Sequence, residues 1–327
     1  MNPIRSLLQL LAALLTLTLP FQVMAQAKPS EIRIDYSYIV PASLIIKRNA
    51  WLEEAFKADG VQIKWILSQG SNRALEYLNA GSLDYGSTAS LAALVGRANG
   101  IPLKTVYVSF EAAQLGILVA KDSPIQSVAD LKGKKIASFK GTMPYFYLLS
   151  ALHGAGISRG DVEIVHLAPN EGQTALESGR VDAWSGLDPF HASSQINAGS
   201  RIIATPKAAD IGVLNAREEF IQKYPESTKR VLAIFERARH WIIEHPEETA
   251  KLIAEEGKQN LAVAKLQLSR QDYQHPIPGP ELKAYLKQVS QLVIEEGIVK
   301  KTTDINAVIA DLIDPSFVPA ESQRKNK

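Results

Sequence analysis

Apolar and polar residues follow two periods along this chain, and their order predicts an α/β protein. In Glu31–Tyr36 the apolar residues Ile32 and Ile34 fall on one face, which is the two-residue period of a strand. Longer stretches such as Ala42–Phe56 and Met143–Ala155 carry the pattern of a helix. Because strands and helices alternate, we predict parallel βαβ units. The other predicted strands are Gln62–Leu67, Leu83–Gly86, Leu103–Phe110, Gln114–Ala120, Lys135–Phe139, Val162–Leu167, Val181–Ser185, Arg201–Ala204 and Ile211–Asn215.

The pattern changes from Arg217 onward, where helices set off by proline or glycine dominate. Two α/β blocks followed by a helical tail predict a two-lobed fold whose tail packs on the first lobe. We assign residues 28–112 plus 212–327 to lobe 1 and residues 113–211 to lobe 2. No low-complexity linker separates the blocks, so we expect strands that cross between the lobes to act as a hinge. The predicted tail helices are Ser227–Glu244, Pro246–Glu256, Ala262–Leu268 and Pro280–Glu296.

The N-terminal segment has the layout of a secretory signal peptide. Arg5 supplies a positive charge, Leu7–Leu19 is largely apolar, and small residues stand at Val23 and Ala25. A membrane anchor is the other interpretation, but about 13 residues are too short for a hydrocarbon core of ~30 Å. We therefore predict a signal peptide over residues 1–25, with cleavage after Ala25 or after Ala27.

The amino-acid composition limits which compartment and which partners we predict for this protein. The chain has no cysteine, which excludes disulfides, thiolate chemistry and the lipid anchor of a lipoprotein. An exported chain without that anchor points to a free periplasmic protein. The 36 basic and 34 acidic residues nearly balance, and no basic stripe with aromatic residues predicts nucleic-acid binding. We expect a monomer that binds a small molecule and needs no cofactor.

Three segments after predicted strands share one pattern, in which a glycine and a hydroxyl residue precede a helix. They are Gly70-Ser71, Gly86-Ser87-Thr88 and Gly141-Thr142. Glycine lets the backbone approach a ligand closely, and the free N–H groups and dipole of a helix start favour an anion. Each segment alone could be an ordinary helix cap. Three of them at strand ends in both blocks predict a cleft lined with hydrogen-bond donors.

Signatures of catalysis are weak. Gly156–Gly160 has the spelling G-x-S-x-G, but a helix precedes it and a strand follows, which is the reverse of a nucleophile elbow. The six histidines show no metal-ligand spacing, and no H-E-x-x-H, P-loop or G-x-G-x-x-G motif occurs. We therefore expect no enzyme activity and no metal site.

Three motifs resemble those of periplasmic aliphatic sulfonate-binding proteins. Gly81–Thr88 is similar to their G-x-x-D-x-G-S-T segment, and Asp122–Lys135 to their N-S-P-I and V-A-D-L-K-G stretch. Gly179–Trp184, followed by Asp188-Pro189, is similar to their G-x-V-D-A-W and W-D-P motif. The resemblance implies a type II periplasmic-binding-protein fold. It also implies a ligand clasped between the lobes and passed to the membrane permease of an ABC transporter.

Two departures from that family bear on the ligand. Thr142-Met143-Pro144 stands where the family has donor serines, and Leu187 replaces its tryptophan. Fewer donors and more apolar surface predict an organosulfonate or similar small organic anion with a bulkier apolar part. The candidate ligand-binding residues are Ser37, Tyr38, Gly70, Ser71, Ser87, Thr88, Gly141, Thr142, Met143 and Asp188.

A second interpretation keeps the fold and changes the ligand to a neutral or cationic heterocycle, such as a pyrimidine thiamine precursor. Tyr38 and Tyr145 could stack on such a ring, whereas we expect Phe146 and Trp184 to pack in the core. Asp188 has two interpretations as well. It could cap the helix that follows, or it could face the cleft and attract an ammonium group.

Overall fold

A computed structural model describes residues 27–319, apart from 69, 114, 141 and 207–209, together with Ser322. The predicted signal peptide and Gly141 lie outside the described residues. The described chain is an α/β structure with two separate sheets, as the alternating pattern predicted. We call the six-stranded sheet and its helices the first lobe, and the five-stranded sheet and its helices the second lobe.

The first sheet has the strand order β11-β4-β10-β3-β1-β2. Its strands β1 and β2 run parallel, as do β1 and β3, which confirms the predicted parallel units. Strand β10 returns from the second lobe and pairs antiparallel with both β3 and β4. The strands are β1 (Glu31–Tyr36), β2 (Gln62–Leu67), β3 (Tyr85–Ala89), β4 (Leu103–Ala112), β10 (Asp210–Arg217) and β11 (Gln271–Asp272).

The second sheet has the order β7-β6-β8-β5-β9 and repeats the parallel three-strand arrangement of the first. Strand β6 lies between β7 and β8, just as β1 lies between β2 and β3. The chain crosses between the lobes twice, from β4 to β5 and from β9 to β10. The strands are β5 (Leu115–Val119), β6 (Lys135–Ser138), β7 (Glu163–His166), β8 (Ala183–Leu187) and β9 (Arg201–Ala204).

Helices cover the faces of both sheets and form the C-terminal tail. They are α1 (Pro41–Arg48), α2 (Trp51–Phe56), α3 (Ser71–Asn79), α4 (Ser90–Ala98), α5 (Met143–Gly154), α6 (Pro169–Glu177), α7 (Phe190–Ala198), α8 (Glu218–Lys223), α9 (Pro225–Glu244), α10 (Pro246–Gly257), α11 (Leu261–Ser269), α12 (Pro280–Glu295) and α13 (Ile305–Leu312). None of these described helices is long and apolar enough to cross a membrane.

The tail packs on the first lobe, as predicted, and also reaches the second. Helices α9 and α10 lie on α1, and α12 and α13 lie on α4. In addition, α11 packs against α7 and α12 contacts α5, both in the second lobe. The tail therefore joins the two lobes at a place separate from the crossing strands.

The prediction of one helix over Ala42–Phe56 is wrong, because the chain turns between α1 and α2. Ala50 adopts a left-handed conformation with φ 51°, which an L-residue other than glycine rarely takes. Trp51 then begins α2, buried beneath the guanidinium of Arg237 at 3.8 Å from the ring centroid. The turn lets both short helices bury their apolar sides in the same core.

In each lobe one carboxylate of a Gly-x-x-Asp motif fastens two parallel strands together. It joins β3 to β1 in the first lobe and β8 to β6 in the second. In the first lobe, Arg33 N donates to Asp84 Oδ2 at 2.9 Å, and Asp84 N donates to Arg33 O at 2.8 Å. In the second lobe, Lys135 N donates to Asp182 Oδ2 at 2.8 Å, and Asp182 N donates to Lys135 O at 2.8 Å. These motifs therefore hold the fold together, and they precede β3 and β8.

Candidate functional site

The carboxyl ends of the two sheets lie on either side of one segment of the tail, Gln267–Gln271. Gln267 Nε2 donates to Tyr38 O, just after β1, at 3.3 Å. Arg270 Nη1 donates to both carboxylate oxygens of Asp188, just after β8, at 2.9 and 3.0 Å. In open α/β sheets ligands bind beyond the carboxyl ends of the strands. We call the region between these strand ends the interlobe boundary.

The start of α5 forms an apolar contact across this boundary. Tyr145 and Phe146 are buried in a cluster with first-lobe residues of α3, α4 and α12, and Met143 packs at its edge. Tyr145 Oη also donates to Glu296 Oε2 at 3.4 Å. The two rings pack edge to face against each other, with centroids 5.9 Å apart. The structure therefore places Tyr145 and Phe146 in the contact between the lobes.

Trp184 lies in the core of the second lobe, as predicted. It is 1% exposed and packs edge-on against His191, with ring centroids 4.8 Å apart. A side chain on Gly186 would come within 2.2 Å of the indole ring, so glycine is required beside it. Of the four aromatic residues in the heterocycle interpretation, only Tyr38 remains half-buried rather than buried.

The first-lobe candidates Ser71, Ser87 and Thr88 come together, but their hydroxyl groups bind other protein atoms. Ser87 Oγ donates to Asp35 Oδ1 at 3.0 Å, and its backbone N donates to Asp35 Oδ2 at 2.9 Å. Thr88 Oγ1 donates to Ala89 O at 2.9 Å. Ser71 Oγ accepts a hydrogen bond from Ala89 N at 3.0 Å, so it holds the start of α4.

Three further candidates, Ser37, Gly70 and Thr142, lie just before helices. Ser37 Oγ accepts from Ile39 N at 3.3 Å in the turn before α1. Gly70 precedes α3 with φ 101°, a conformation that glycine adopts readily. Thr142 Oγ1 donates to Phe139 O at 2.6 Å, and Phe139 is 39% exposed. The second-lobe side therefore combines an exposed aromatic ring with a threonine whose hydroxyl hydrogen is already used.

The starts of α3 and α4 keep their first backbone N–H groups, whereas α5 keeps fewer because Pro144 in its first turn has no N–H. Helices α3, α4 and α5 have no side-chain cap, as is true of most described helices, while Asn260 and Asp304 cap α11 and α13. The first N–H groups of a helix have no acceptor within the helix, and its positive dipole end attracts negative charge. An anion placed between α3, α4 and α5 would therefore meet donors from both lobes.

Two buried serines, one at the start of α4 and one at the end of β6, were not among the sequence candidates. Ser90 opens α4 and is 1% exposed, and Ser138 ends β6 and is 0% exposed. Neither hydroxyl has a hydrogen-bond partner within the described part of the chain. A buried hydroxyl without a partner is costly, and a bound ligand would satisfy it. Neither serine belongs to a glycine-hydroxyl pair, because Ala89 precedes Ser90 and Ala137 precedes Ser138.

Asp188 both contacts the first turn of a helix and lies at the interlobe boundary. Its Oδ1 accepts from Ala192 N in the first turn of α7 at 2.8 Å, although Pro189 and not Asp188 is the residue at the cap position. Burial raises the pKa of Asp188, while the positive charge of Arg270 opposes that rise. Arg270 was not a sequence candidate, since nothing near it in the chain marks it as a partner of Asp188. The carboxylate is thus matched by a cation from the opposite lobe.

Asp35 is a second buried carboxylate, and the sequence pattern did not single it out. It is 0% exposed at the carboxyl end of β1. Its oxygens accept from Ser68 Oγ at 2.5 Å and from the backbone and hydroxyl of Ser87. Burial raises the pKa of Asp35 above its ordinary value, and the hydrogen bonds from the two serines oppose that rise.

The effect of Asp35 on stability is expected to depend on pH. Because its pKa is raised in the folded state, the unfolded chain releases this proton first as pH rises from about 4. The free energy of unfolding, measured as wild type minus Asp35→Asn in urea, should therefore fall between pH 4 and pH 7.5. Asp130→Asn is the control. Backbone hydrogen bonds from Gln126 and Ser127 lower the pKa of Asp130, so its contribution changes mainly below pH 4 and the same difference should stay nearly level or rise slightly over that range. A rise for both aspartates would contradict the expected sign at Asp35.

Comparison with known proteins identifies relatives across nearly the whole chain. Residues 55–249 match the family described as NMT1/THI5 like. A protein of Bacillus subtilis (strain 168), named as an aliphatic sulfonates-binding protein, is 30% identical over 88% of this chain and 87% of its own. A protein of Escherichia coli (strain K12) with the same name is 30% identical over 92% of this chain and 95% of its own.

A solved structure agrees with these matches. The periplasmic aliphatic sulphonate binding protein SsuA from Escherichia coli superimposes with a TM-score of 0.75 at 28% identity. The superposition covers 85% of this chain and 91% of that one. The chain therefore has the type II periplasmic-binding-protein fold and belongs to the NMT1/THI5-like family, together with these aliphatic sulfonate-binding proteins.

Proposed function

We propose that this protein is the periplasmic solute-binding component of an ABC import system, and that it binds an organosulfonate or a similar small organic anion between its lobes. The observation that carries the proposal is the set of uncapped helix starts at α3, α4 and α5, supplied by both lobes. The hydroxyls of Ser90 and Ser138 have no hydrogen-bond partner among the described residues, and we place them at the site as two further donors. The names of the two relatives at 30% identity support the same ligand class.

The mechanism is closure of two lobes about the crossing strands. We propose that residues 28–112 plus 212–327 move as one body and residues 113–211 as the other. Arg270 and Tyr145 both make hydrogen bonds across the interlobe boundary, and we propose that these contacts belong to the closed form. A ligand binds with the lobes apart, and closure surrounds it with donors from both sides. The closed form is then the one that a membrane permease recognises.

The remaining parts of the proposal concern export and chemistry. Residues 1–25 direct export and are removed, which leaves a periplasmic monomer without a lipid anchor. No catalytic step is assigned. The described histidines, aspartates and glutamates include no group of three that could hold a metal ion. Within the described residues, Asp35 and Asp188 accept hydrogen bonds from serines, backbone amides and an arginine.

The heterocycle interpretation is the weaker candidate. Tyr145 and Phe146 are buried between the lobes and Trp184 in the second-lobe core, so none of the three offers a free face to a ring. The exposed Phe139 and the half-buried Tyr38 remain as apolar surfaces at the strand ends. They suit the organic part of an anion as well as a ring.

A panel of ligands in a thermal unfolding assay tests this function. Alkanesulfonates, an arylsulfonate, a sulfate ester, nitrate and a carboxylate would each be added to the mature protein. A ligand at about 100 times its dissociation constant should stabilise the fold by ~2.7 kcal/mol, because it binds only the folded state. If no anion of the panel stabilises the protein, the anion proposal is wrong.

Variants of Ser90 and Ser138 locate the site. Ser90→Ala and Ser138→Ala should each weaken binding of the best anion roughly 10- to 100-fold, since each removes a hydrogen bond to a charged group. Isothermal titration calorimetry measures the change. Ser290→Ala is the matched control, because Ser290 is 3% exposed on α12 and donates to Lys287 O within its own helix. Equal affinity in all three variants would place the anion elsewhere.

A further inference from the structure

Two glutamines of the tail hold the loop that follows β1, residues 37–40, which we call the β1 loop. Gln267 Nε2 donates to Tyr38 O at 3.3 Å. Gln271 Nε2 donates to the next carbonyl, Ile39 O, also at 3.3 Å. The β1 loop contains Tyr38, a candidate ligand-binding residue, and begins where the first strand of the lobe ends. Its position at the interlobe boundary therefore depends on two side chains from a distant part of the chain.

Each of these glutamine amides is oriented by a second hydrogen bond on its oxygen. Gln259 Nε2 donates to Gln267 Oε1 at 3.3 Å. Tyr273 Oη donates to Gln271 Oε1 at 2.6 Å. Buried amides satisfy both their oxygen and their nitrogen, so an oxygen that already has a donor leaves the NH2 group directed at the β1 loop. Gln267 is 0% exposed, and it therefore acts on the loop and not on a ligand.

The residue between the two glutamines contacts a crossing strand and the second lobe. Ala113 N, where the chain leaves β4 for the second lobe, donates to Arg270 O at 3.0 Å. The Arg270 side chain donates to Asp188 Oδ1 at 2.9 Å and to Gln195 on α7. Helix α11, which ends at this place, packs on α7 as well. One short segment thus contacts the β1 loop, a crossing strand and the second lobe.

Regular structure on both sides limits how far this segment can bend. Gln267 lies in the last turn of α11, and Gln271 lies in β11, which pairs with β4. Rigid elements joined by hydrogen bonds can carry coupling between two sites. Loss of the second-lobe contacts should therefore loosen the β1 loop. Because coupling is reciprocal, loss of the glutamine hydrogen bonds should also loosen the second-lobe contacts.

We propose that Gln267 and Gln271 are positioning residues for the ligand site, and that the tail segment Gln267–Gln271 couples the β1 loop to the second lobe. The β1 loop then reaches its ligand-binding position as the second lobe engages the segment. The functional part of this inference rests on the proposed binding between the lobes, whereas the coupling itself needs no ligand.

Hydrogen–deuterium exchange of the mature protein without added ligand tests the coupling. Gln267→Met removes a donor to the β1 loop at similar side-chain length. We expect faster exchange in the peptide containing Val40, whose N–H donates to Ser37 O at 3.1 Å. We also expect it, by about 5-fold or more, in the peptide containing Ala192, whose N–H donates to Asp188 in the second lobe. The second effect reports coupling, because Gln267 makes its hydrogen bonds within the first lobe.

Gln291→Met is the matched control for this experiment. Gln291 is exposed on α12 and donates to Glu295 within the same helix at 3.0 Å, so both peptides should keep their wild-type rates. If Gln267→Met speeds exchange in the β1 loop alone, the inference is overturned. Arg270→Met tests the reverse direction and replaces Gln267→Met if that variant does not fold. Wild-type exchange at Val40 in Arg270→Met would likewise overturn the coupling.

A titration with ethanesulfonate tests the positioning role. Gln267→Met should weaken its binding roughly 10-fold, the usual effect of one hydrogen bond. The double variant with Arg270→Met should lose less than the product of the two single losses, because both residues act through one segment. Losses that multiply would overturn the positioning role. If the wild type binds no anion of the panel, the proposed function is wrong, and the exchange experiment still decides the coupling.

Discussion

Replacing Arg270 by methionine is expected to weaken ligand binding by roughly 100-fold or more and to shift the lobes apart. Arg270 pairs with Asp188, which is only 1% exposed and lies in the other lobe. Without the guanidinium, closure would bury this carboxylate unpaired, at a cost of about 3–5 kcal/mol. That cost opposes the closed form, and 1.4 kcal/mol corresponds to tenfold in affinity. Calorimetry measures the loss of affinity, and small-angle X-ray scattering should show a larger radius of gyration.

The double variant Arg270→Met with Asp188→Asn is the control for this prediction. It removes the negative charge together with its partner, so closure no longer buries an unpaired charge. We expect it to recover a large part of the lost affinity, because breaking one side of a buried ion pair costs more than removing both. If Arg270→Met keeps the wild-type affinity and scattering profile, this ion pair has no part in closure.

Replacing Asp84 by alanine is expected to lower the free energy of unfolding by about 3 kcal/mol. The Asp84 carboxylate is 0% exposed and accepts from Arg33 N, from the Arg33 guanidinium and from Arg217. Its removal takes the acceptor of one backbone amide and one acceptor from each arginine, while Arg33 keeps Gly81 O and Arg217 keeps Glu219. The arginine side chains are 28% and 18% exposed, so water would replace part of the lost interaction. Urea denaturation with a fluorescence readout measures the change.

Asp182→Ala provides the matched control, since Asp182 has the same place in the motif of the second lobe. Its side chain is exposed and forms a backbone hydrogen bond with Lys135 N but no ion pair in the described structure. We expect a loss of about 1 kcal/mol, the usual value of one hydrogen bond. An equal loss in both variants would mean that the two arginines contribute nothing at Asp84.

The strand positions show how far local pattern can be trusted here. Strands β1, β2 and β9 begin and end at the predicted residues. Strands β3 and β8 begin two residues later than predicted. In both cases the Gly-x-x-Asp motif uses those residues to fasten the strand, through Asp84 and Asp182. The apolar residues Leu83 and Val181 therefore predicted strand, although each lies in the turn before its strand.

At the site, too, local sequence pattern and tertiary structure determine different features. The glycine-hydroxyl segments led to the helix starts at the interlobe boundary, since a strand followed by a helix is a local pattern. Where each hydroxyl hydrogen points is a tertiary property. Ser87 is 52 positions from its acceptor Asp35, and Arg270 is 82 positions from Asp188. Ser90 and Ser138 stand out only once their surroundings are known to hold no partner within the described residues.

The amino-acid sequence by itself determined the fold class, the two lobes with a helical tail, and the helix starts that line the boundary. Those features follow from periodicity, turn residues and motifs, which act over a few neighbouring positions. Only the tertiary structure decided the polarity of the site. It assigned the hydrogens of Ser68 and Ser87 to Asp35 and paired Asp188 with Arg270. These assignments depend on burial and on distances between residues remote in the chain, which no local pattern records.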